Sequence, residues 1–564
     1  MMKLLFRIVL ASMFIGWAWD GIMFVYYFLF ASEEHSLWYQ YFPSINPQIL
    51  ILLLIIPGVL LFLFIKKKFA PRERTPTTGS FRFPLMVFNQ KKKMWVDDKP
   101  LYLRNIDNGV LIIGQPGSGK TKSIITPLLH QLVKQRCTGL VYDLKGKLCE
   151  DVLSAYQQSS DSDVTPYFVN FFKPECSHRL NPISPRYMKN KAETMEFMSS
   201  MLSNFMNAEE GVKGSDPFWF NTGKTVLTAI TWFLKLKYPQ YCTLPHLIAF
   251  VLANEPERII DIIDQEPESS RMLNVLKASS QAKDKTLFIN ILSTLYAYLT
   301  ILDLPELFWV LSKDEVDLNV NDPGHPALLT IANHEPLQKV YSPIVSLICS
   351  VVLQRMNQEN RRRGAVVFDE FASIKIPGFQ RTPETIRSRN VSTVVAIHDK
   401  QQLVTQYGQS IAETIYSTLA TKFFFRSTNR KTVEDAVALF GKRDQYFTSV
   451  TESNSSGGSS RGFSESSNKG VSQSIQQRDY LKVEEITNYQ RGEFAGIFSD
   501  ANFLYTKGSR VKLFPIEGVK LPDKGISGDL ISSNYLSIYR DIQNIADGIS
   551  NAPKPSAREL KIDF

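Results

Sequence analysis

The segment Gly114-Gln115-Pro116-Gly117-Ser118-Gly119-Lys120-Thr121 decides how the rest of the chain is read. It matches GxxxxGK[ST] in full, follows the strand-like run VLII at 110–113 and opens a helical stretch. Each part has a physical purpose. Glycines let successive backbone N–H groups curl around phosphate oxygens, the following helix presents its positive end, and a lysine in the place of Lys120 reaches the β- and γ-phosphates. The next hydroxyl, Thr121, suits a Mg²⁺ ion. A mere glycine-rich turn is the competing reading, and the strand–loop–helix context argues against it.

Working outward, AVVFDEFA at 365–372 supplies the complementary half. Four apolar residues carry Asp369 and Glu370 to the C-terminal end of a strand, where a metal beside the phosphate loop would sit. Asp369 is the candidate metal holder, and Glu370 the candidate to orient or deprotonate an attacking water. A second strand end, GLVYDLKGK at 139–147, brings Asp143 and Lys145 either to the same crevice or to an ordinary polar turn. After the second carboxylate motif come Arg387, Arg389, the run STVVAI and His398. His398 is either a side chain that senses the γ-phosphate or a plain strand-end histidine. Arg361-Arg362-Arg363 precedes the FDEF strand and therefore belongs to the sheet end away from the nucleotide, as a solvated basic turn.

Short β-branched and aromatic runs alternate with helical patterns through VLIIG, GLVYD, PYFVNFF, ALLTIA, AVVFDE, STVVAI and TKFFFR. Such alternation predicts a parallel sheet covered on both faces. RFPLMVF from Arg82 and WVDDKPLYL from Trp95 predict two further short strands. The boundaries read as 71–185 for the first part of a nucleotide-binding domain, 186–322 for an inserted all-α domain, and 323–520 for the second part. Residues 451–474 hold ten Ser and four Gly, a composition that reads as a flexible segment. The tail at 521–564 reads as loosely held.

Two apolar runs open the chain, at about 8–31 and 49–65. Lys3 and Arg7 precede the first and Lys66-Lys67-Lys68 follow the second, while the linker between carries Glu33 and Glu34 but no Lys or Arg. The positive-inside rule predicts two uncleaved helices with both ends cytoplasmic, so residues 1–70 form a transmembrane anchor. Asp20 falls within the first run and is either protonated, reached by water, paired with another membrane helix, or nearer an interface than the span suggests. The whole chain has 564 residues, 44% hydrophobic and 21% charged, which excludes wholesale disorder. Its net charge of +9 suits either a polyanionic partner or a membrane-proximal surface. Five cysteines without CxxC or Cys/His spacing argue against a disulfide scaffold and a structural zinc site.

Taken in order, the two-helix anchor, GQPGSGKT, LNPIS at 180–184, the helical insert opening at DPFWF, FDEFASI, RSRNVSTVVAIHDKQQL and RDYLKVEEI resemble the conjugative coupling proteins of type IV secretion systems. These TraG-type membrane ATPases are relatives of FtsK-like translocases. The resemblance implies an α/β, RecA-like P-loop NTPase fold with a mostly parallel sheet and an inserted all-α subdomain. It implies ATP and Mg²⁺ as cofactors, with Gly114 to Thr121 binding nucleotide, Thr121 and Asp369 holding the metal, and Lys120, Glu370, Arg387 and His398 as catalytic residues. Arg387 takes the place of an arginine that reaches the next subunit's nucleotide, which requires a ring. Two departures stand out: His398 replaces the family's usual glutamine, and Leu144 and Lys147 replace a proline and an acidic residue. No catalytic role is assigned to the latter pair.

The function implied is a homo-hexameric, ATP-driven translocase at the bacterial inner membrane, multi-pass with most of the chain cytoplasmic. It would recruit relaxase-bound single-stranded DNA and pass it to the secretion channel. The alternative is a receptor for protein effectors on the same scaffold, and the short stretch after Arg491 tilts the expectation toward DNA. An ABC-type exporter is disfavoured because no LSGGQ-like signature lies between the two nucleotide motifs. The intact Lys120, Thr121, Asp369 and Glu370 disfavour a non-catalytic scaffold.

Overall fold

The computed structural model describes residues 80–159, 161–207, 217–283, 285–459, 462–513 and 518–548. The two apolar runs expected to anchor the chain lie outside the described residues. The strands are β1 (Phe81–Phe83), β2 (Leu85–Asn89), β3 (Met94–Asp97), β4 (Leu101–Leu103), β5 (Val110–Ile113), β6 (Thr138–Asp143), β7 (Thr165–Asn170) and β8 (Ala327–Ala332). They continue with β9 (Gly364–Asp369), β10 (Val391–Ile397), β11 (Thr421–Phe425), β12 (Lys442–Ser459), β13 (Gly462–Asp479), β14 (Glu493–Ile497) and β15 (Tyr505–Val511). The principal helices are α1 (Thr126–Lys134), α2 (Leu148–Gln157), α3 (Lys191–Asn207), α4 (Pro217–Lys237), α5 (Leu244–Ala253) and α6 (Thr286–Thr300). After them come α7 (Pro305–Leu311), α8 (Gln338–Met356), α9 (Thr382–Arg387), α10 (Lys400–Tyr407), α11 (Arg430–Phe440) and α12 (Gly528–Ala546).

An 11-stranded sheet in the order β3-β2-β15-β14-β11-β5-β10-β9-β6-β8-β7 organises the molecule. From β11 to β7 every pairing is parallel, and the β3 to β14 flank is antiparallel. Sequence explains the division. β5, β6, β8, β9, β10 and β11 are dominated by apolar and β-branched residues, and all their residues are buried, as strands covered on both faces must be. Along the antiparallel flank, β2 and β3 mix apolar with polar residues and keep one face partly exposed.

Alternate residues of these strands enter two different cores. Leu111, Ile113, Leu140, Tyr142, Val366, Phe368 and Val395 join one, and Val110, Ile112, Val141, Val367, Val394 and Ala396 the other. The first core runs on without interruption into Phe197, Leu227, Phe233, Leu247, Phe250 and Phe308 of the segment between β7 and β8, whose described regular elements are all helices. The helical insert thus shares the core of one sheet face, with each fully buried Leu or Phe contributing about 1.5–3 kcal/mol.

Two expectations are corrected. The Ser/Gly-rich stretch at 451–474 lies in the antiparallel β12–β13 hairpin, paired from Lys442↔Asp479 to Ser459↔Gly462. A ladder is built from backbone groups, so a composition with little to bury can still form one. The described part of the tail, up to residue 548, is held as well: within it, α12 buries Ile538, Ile542 and Ile545. The Tyr535 and Tyr539 hydroxyls donate to Asp303 Oδ1 at 3.0 and 2.9 Å, and Arg179 Nη2 donates to Asn534 Oδ1 at 3.1 Å.

Candidate functional site

Strand register assembles the site. Ile397 and Phe424 both pair with Ile113, and Asp143 pairs with Asp369, so β5, β10, β11, β6 and β9 end together. Gly114 N donates to Ile397 O at 3.2 Å and Gln115 N to Arg426 O at 2.9 Å, stitching the phosphate loop to a neighbour on each side. Gly117 and Gly119 have φ of 75° and 102°, a region that side chains enter at a cost. A Cβ on Gly119 would lie 2.8 Å from Gly492 N, whose N–H donates to Ser118 O at 2.7 Å. The RGEF segment at 491–494 therefore closes over the loop. Thr121–Ile125 leave the loop as a widened π-helical turn that leads into α1.

The side chains form two linked contacts. Thr121 Oγ1 donates to Asp369 Oδ2 at 3.0 Å. Lys120 Nζ bonds the Gly114 carbonyl, lies 3.1 Å from His398 Nδ1 and 3.6 Å from Glu370 Oε1. His398 Nε2 is 3.0 Å from Glu370 Oε2. Because the lysine can only donate, Nδ1 accepts and the ring proton sits on Nε2, aimed at Glu370. His398 is thereby a bridge between the loop lysine and the second carboxylate. Glu370 itself holds φ 62° and ψ 55°, a left-handed conformation that costs a non-glycine residue about 1–3 kcal/mol.

Burial dominates the electrostatics. It lowers Lys120 from its ordinary value against the opposing charges of Glu370 and Asp369. It raises Glu370, with Lys120 opposing, and raises Asp369 to about 6, where Glu370's charge adds to it. Asp143 is pushed up to about 7 by burial and then by Asp369, although Leu148 N and Lys145 N donate to it. His398 is lowered by burial and by the neighbouring Lys120 cation, in keeping with a ring whose Nδ1 accepts from Lys120 and whose single proton on Nε2 is donated to Glu370.

These residues suit a magnesium nucleotide. Ser118 Oγ and Asp369 Oδ1 are buried polar atoms without a hydrogen-bond partner, and a glycine cradle, a lysine and a hydroxyl–carboxylate pair surround them. Asp143 reaches this cluster, and the Lys145 side chain is half exposed, 3.9 Å from Glu335. Arg387 does not. It is exposed at the end of α9, before β10 begins at Val391, roughly 20 Å of strand from His398. Arg361, Arg362 and Arg363 sit at that same far end, bonded to Asp322, bonded to Asp163, and 3.9 Å from Asp107. Arg426 went unnoticed in the sequence. It follows β11 beside the loop, and with the Gln115 amide oxygen turned toward it, its Nε and Nη2 donate at 2.7 and 2.9 Å. The available signal was a cation directly after the strand TKFFF.

The family model described as type IV secretion-system coupling protein DNA-binding domain matches residues 96–493. No curated protein sequence matches. Among solved structures, bacterial conjugative coupling protein TrwBdeltaN70 in complex with sulphate has a TM-score of 0.56 at 15% identity, covering 74% of this chain and 88% of that one. Plasmid coupling protein TrwB in complex with ADP and Mg²⁺ has a TM-score of 0.54 at 15% identity, covering 74% and 87%. At that identity the likeness establishes the fold, an α/β architecture on a mostly parallel sheet. The family match spans most of the chain, including both nucleotide motifs and the strands that bring them together, and the chain accordingly belongs to the type IV secretion-system coupling proteins.

Proposed function

We propose that the site hydrolyses ATP and that the chain works as a ring translocase, passing DNA to a secretion channel. The observation that carries this reading is the meeting of Thr121 and Asp369, 248 residues apart in sequence, beside a complete phosphate loop. Thr121 and Asp369 would hold Mg²⁺, which when bound supplies Lewis-acid polarisation of phosphoryl oxygens. The loop N–H groups and Lys120 bind and neutralise phosphate charge. Glu370 accepts the proton of the attacking water, and burial supports this by raising its basicity. His398 keeps the Glu370 carboxylate oriented through Nε2–H.

The exposed position of Arg387 at the opposite sheet end leaves it free to serve a neighbour's nucleotide, which supports a homo-hexameric ring with the arginine supplied in trans. The sulphate- and ADP/Mg²⁺-bound TrwB structures share this fold and support the cofactor assignment. The cargo on this reading is relaxase-bound single-stranded DNA, delivered at the bacterial inner membrane by a chain held there through its N-terminal apolar runs. ATP hydrolysis by the full chain, measured with and without single-stranded DNA across salt concentrations, tests it. Hydrolysis stimulated by DNA, with the stimulation fading as salt rises, is expected. Absence of hydrolysis overturns the motor, and stimulation by a protein cargo alone turns the reading to an effector receptor.

A further inference from the structure

We infer that Asn204, on α3 of the helical insert, is a positioning residue for Glu370, an inference that rests on the hydrolytic reading above. Glu370 is followed by a short loop, Phe371 to Ile376, whose backbone has no strand or long helix to satisfy it. Side chains from distant elements do so instead. Ser373 N donates to Glu370 O at 2.9 Å, and Ser373 O accepts from Gln338 Nε2 at 2.7 Å and Ser342 Oγ at 3.2 Å, both on α8. The Ser373 hydroxyl meets the buried Tyr142 hydroxyl at 2.6 Å, and Asn333 Nδ2 donates to Tyr142 at 3.1 Å. Tyr407 on α10 donates to Ile374 O at 3.2 Å and accepts from Ile376 N at 3.0 Å.

The insert's contribution is a clamp on Lys375. Lys375 N donates to Asn204 Oδ1 at 2.8 Å, and Asn204 Nδ2 donates back to Lys375 O at 2.8 Å. Asn204 is 7% exposed, and its Nδ2 also donates to Ser200 O at 2.9 Å, which fixes the amide orientation the clamp needs. This is the two-bond pairing that one strand residue offers another, made here by a side chain. It matters because Glu370 sits in a left-handed conformation that relaxes unless the following residues are held. Holding Lys375 from α3 therefore sets where the Glu370 carboxylate points relative to His398 and Lys120, and a movement of α3 reaches the hydrolytic end of the sheet through two hydrogen bonds.

Asn204→Ala and Asn204→Asp in the full chain test this, read by hydrogen exchange at 373–376, by ATP affinity and by steady-state hydrolysis. The alanine variant is expected to exchange the Lys375 amide about fivefold faster or more. Its kcat should fall about 10- to 100-fold while ATP affinity stays within about twofold, as misplacement of one catalytic group requires. Asn204→Asp keeps an acceptor for Lys375 N–H but sets a buried carboxylate oxygen against the Lys375 and Ser200 carbonyls, and should speed exchange and lower kcat at least as far as Asn204→Ala. Unchanged exchange, or faster exchange with normal kcat, overturns the proposal, as does a parallel loss of ATP affinity. Should Asn204→Ala not fold, the aspartate variant carries the same comparison. A wild-type chain that does not hydrolyse ATP defeats the hydrolytic reading, while the exchange data still decide whether the clamp exists.

Discussion

The two ends of the parallel strands are built from the same chain segments and differ in almost every respect. At the end where β9 and β10 begin, charges are matched: Arg361 with Asp322, Arg362 with Asp163 at 2.6 Å, and Arg389 with Glu359 at 3.1 Å. At the end where they finish, Asp143, Asp369 and Glu370 are crowded around Lys120; unpartnered buried atoms occur at both ends, on Arg361 and Arg389 Nε at the first and on Ser118 Oγ and Asp369 Oδ1 here, so the difference lies in the charges. Burial raises all three acids there. One end stabilises the sheet, and the other stores the strain and unmatched charge that a phosphate-bearing ligand and its metal would relieve.

Arg387 offers the hardest break of that contrast, because it lies at the matched end yet is proposed to act on a neighbour's nucleotide. Arg387→Ala should lower kcat of the assembled ring by about 10³–10⁵-fold with nucleotide binding retained; normal hydrolysis would return Arg387 to the quiet end. Glu370→Gln comes next, with kcat expected to fall about 10²–10⁴-fold at unchanged ATP affinity. Loss of binding instead would show that Glu370 holds the ligand rather than activating water.

Smaller effects separate the ends through pH. Asp143, with a folded value of about 7, binds its proton more tightly folded than unfolded, so the nucleotide-free fold loses stability as pH rises from about 4 through 7. Asp143→Asn should therefore stabilise the nucleotide-free protein at pH 8, on the order of 1–3 kcal/mol, and not at pH 4, by thermal denaturation. A stabilisation independent of pH would contradict the raised value. Asp322 behaves oppositely. Its carboxyl is held below the usual range by the Gly324 N–H and by Arg361, so its contribution is present above the ordinary carboxylate value and lost as pH falls through the folded one. Arg361→Ala should cost only about 0.2–1 kcal/mol at neutral pH and leave hydrolysis unchanged.

Legibility in sequence follows the same division. Lys120, Thr121, Asp369 and Glu370 announced themselves because each chemistry-bearing residue ends an uninterrupted apolar run or sits in a glycine pattern with one physical use. Arg426 and Asn333 did not, because their relevance depends on β11 being placed beside β5 and β8 beside β6, and strand order is a property of the whole sheet. Asn204 looks like any polar residue late in a helix until the backbone of Lys375 is brought against it. The β12–β13 hairpin was misread because composition reports what can be buried and says little about backbone pairing. For α12 the signal was present, in Ile531, Tyr535, Ile538, Ile542 and Ile545 at helical spacing, but Ser, Asn and Gly around it suggested a loose tail.

The proposal that Thr121 and Asp369 hold a nucleotide-bound magnesium is tested most directly by titrating ATP into the wild-type chain and Asp369→Asn, each with and without Mg²⁺. Wild type should bind ATP more tightly when Mg²⁺ is added, and Asp369→Asn should lose that gain. Failure of the wild type to bind ATP, or an equal magnesium gain in both proteins, would contradict it.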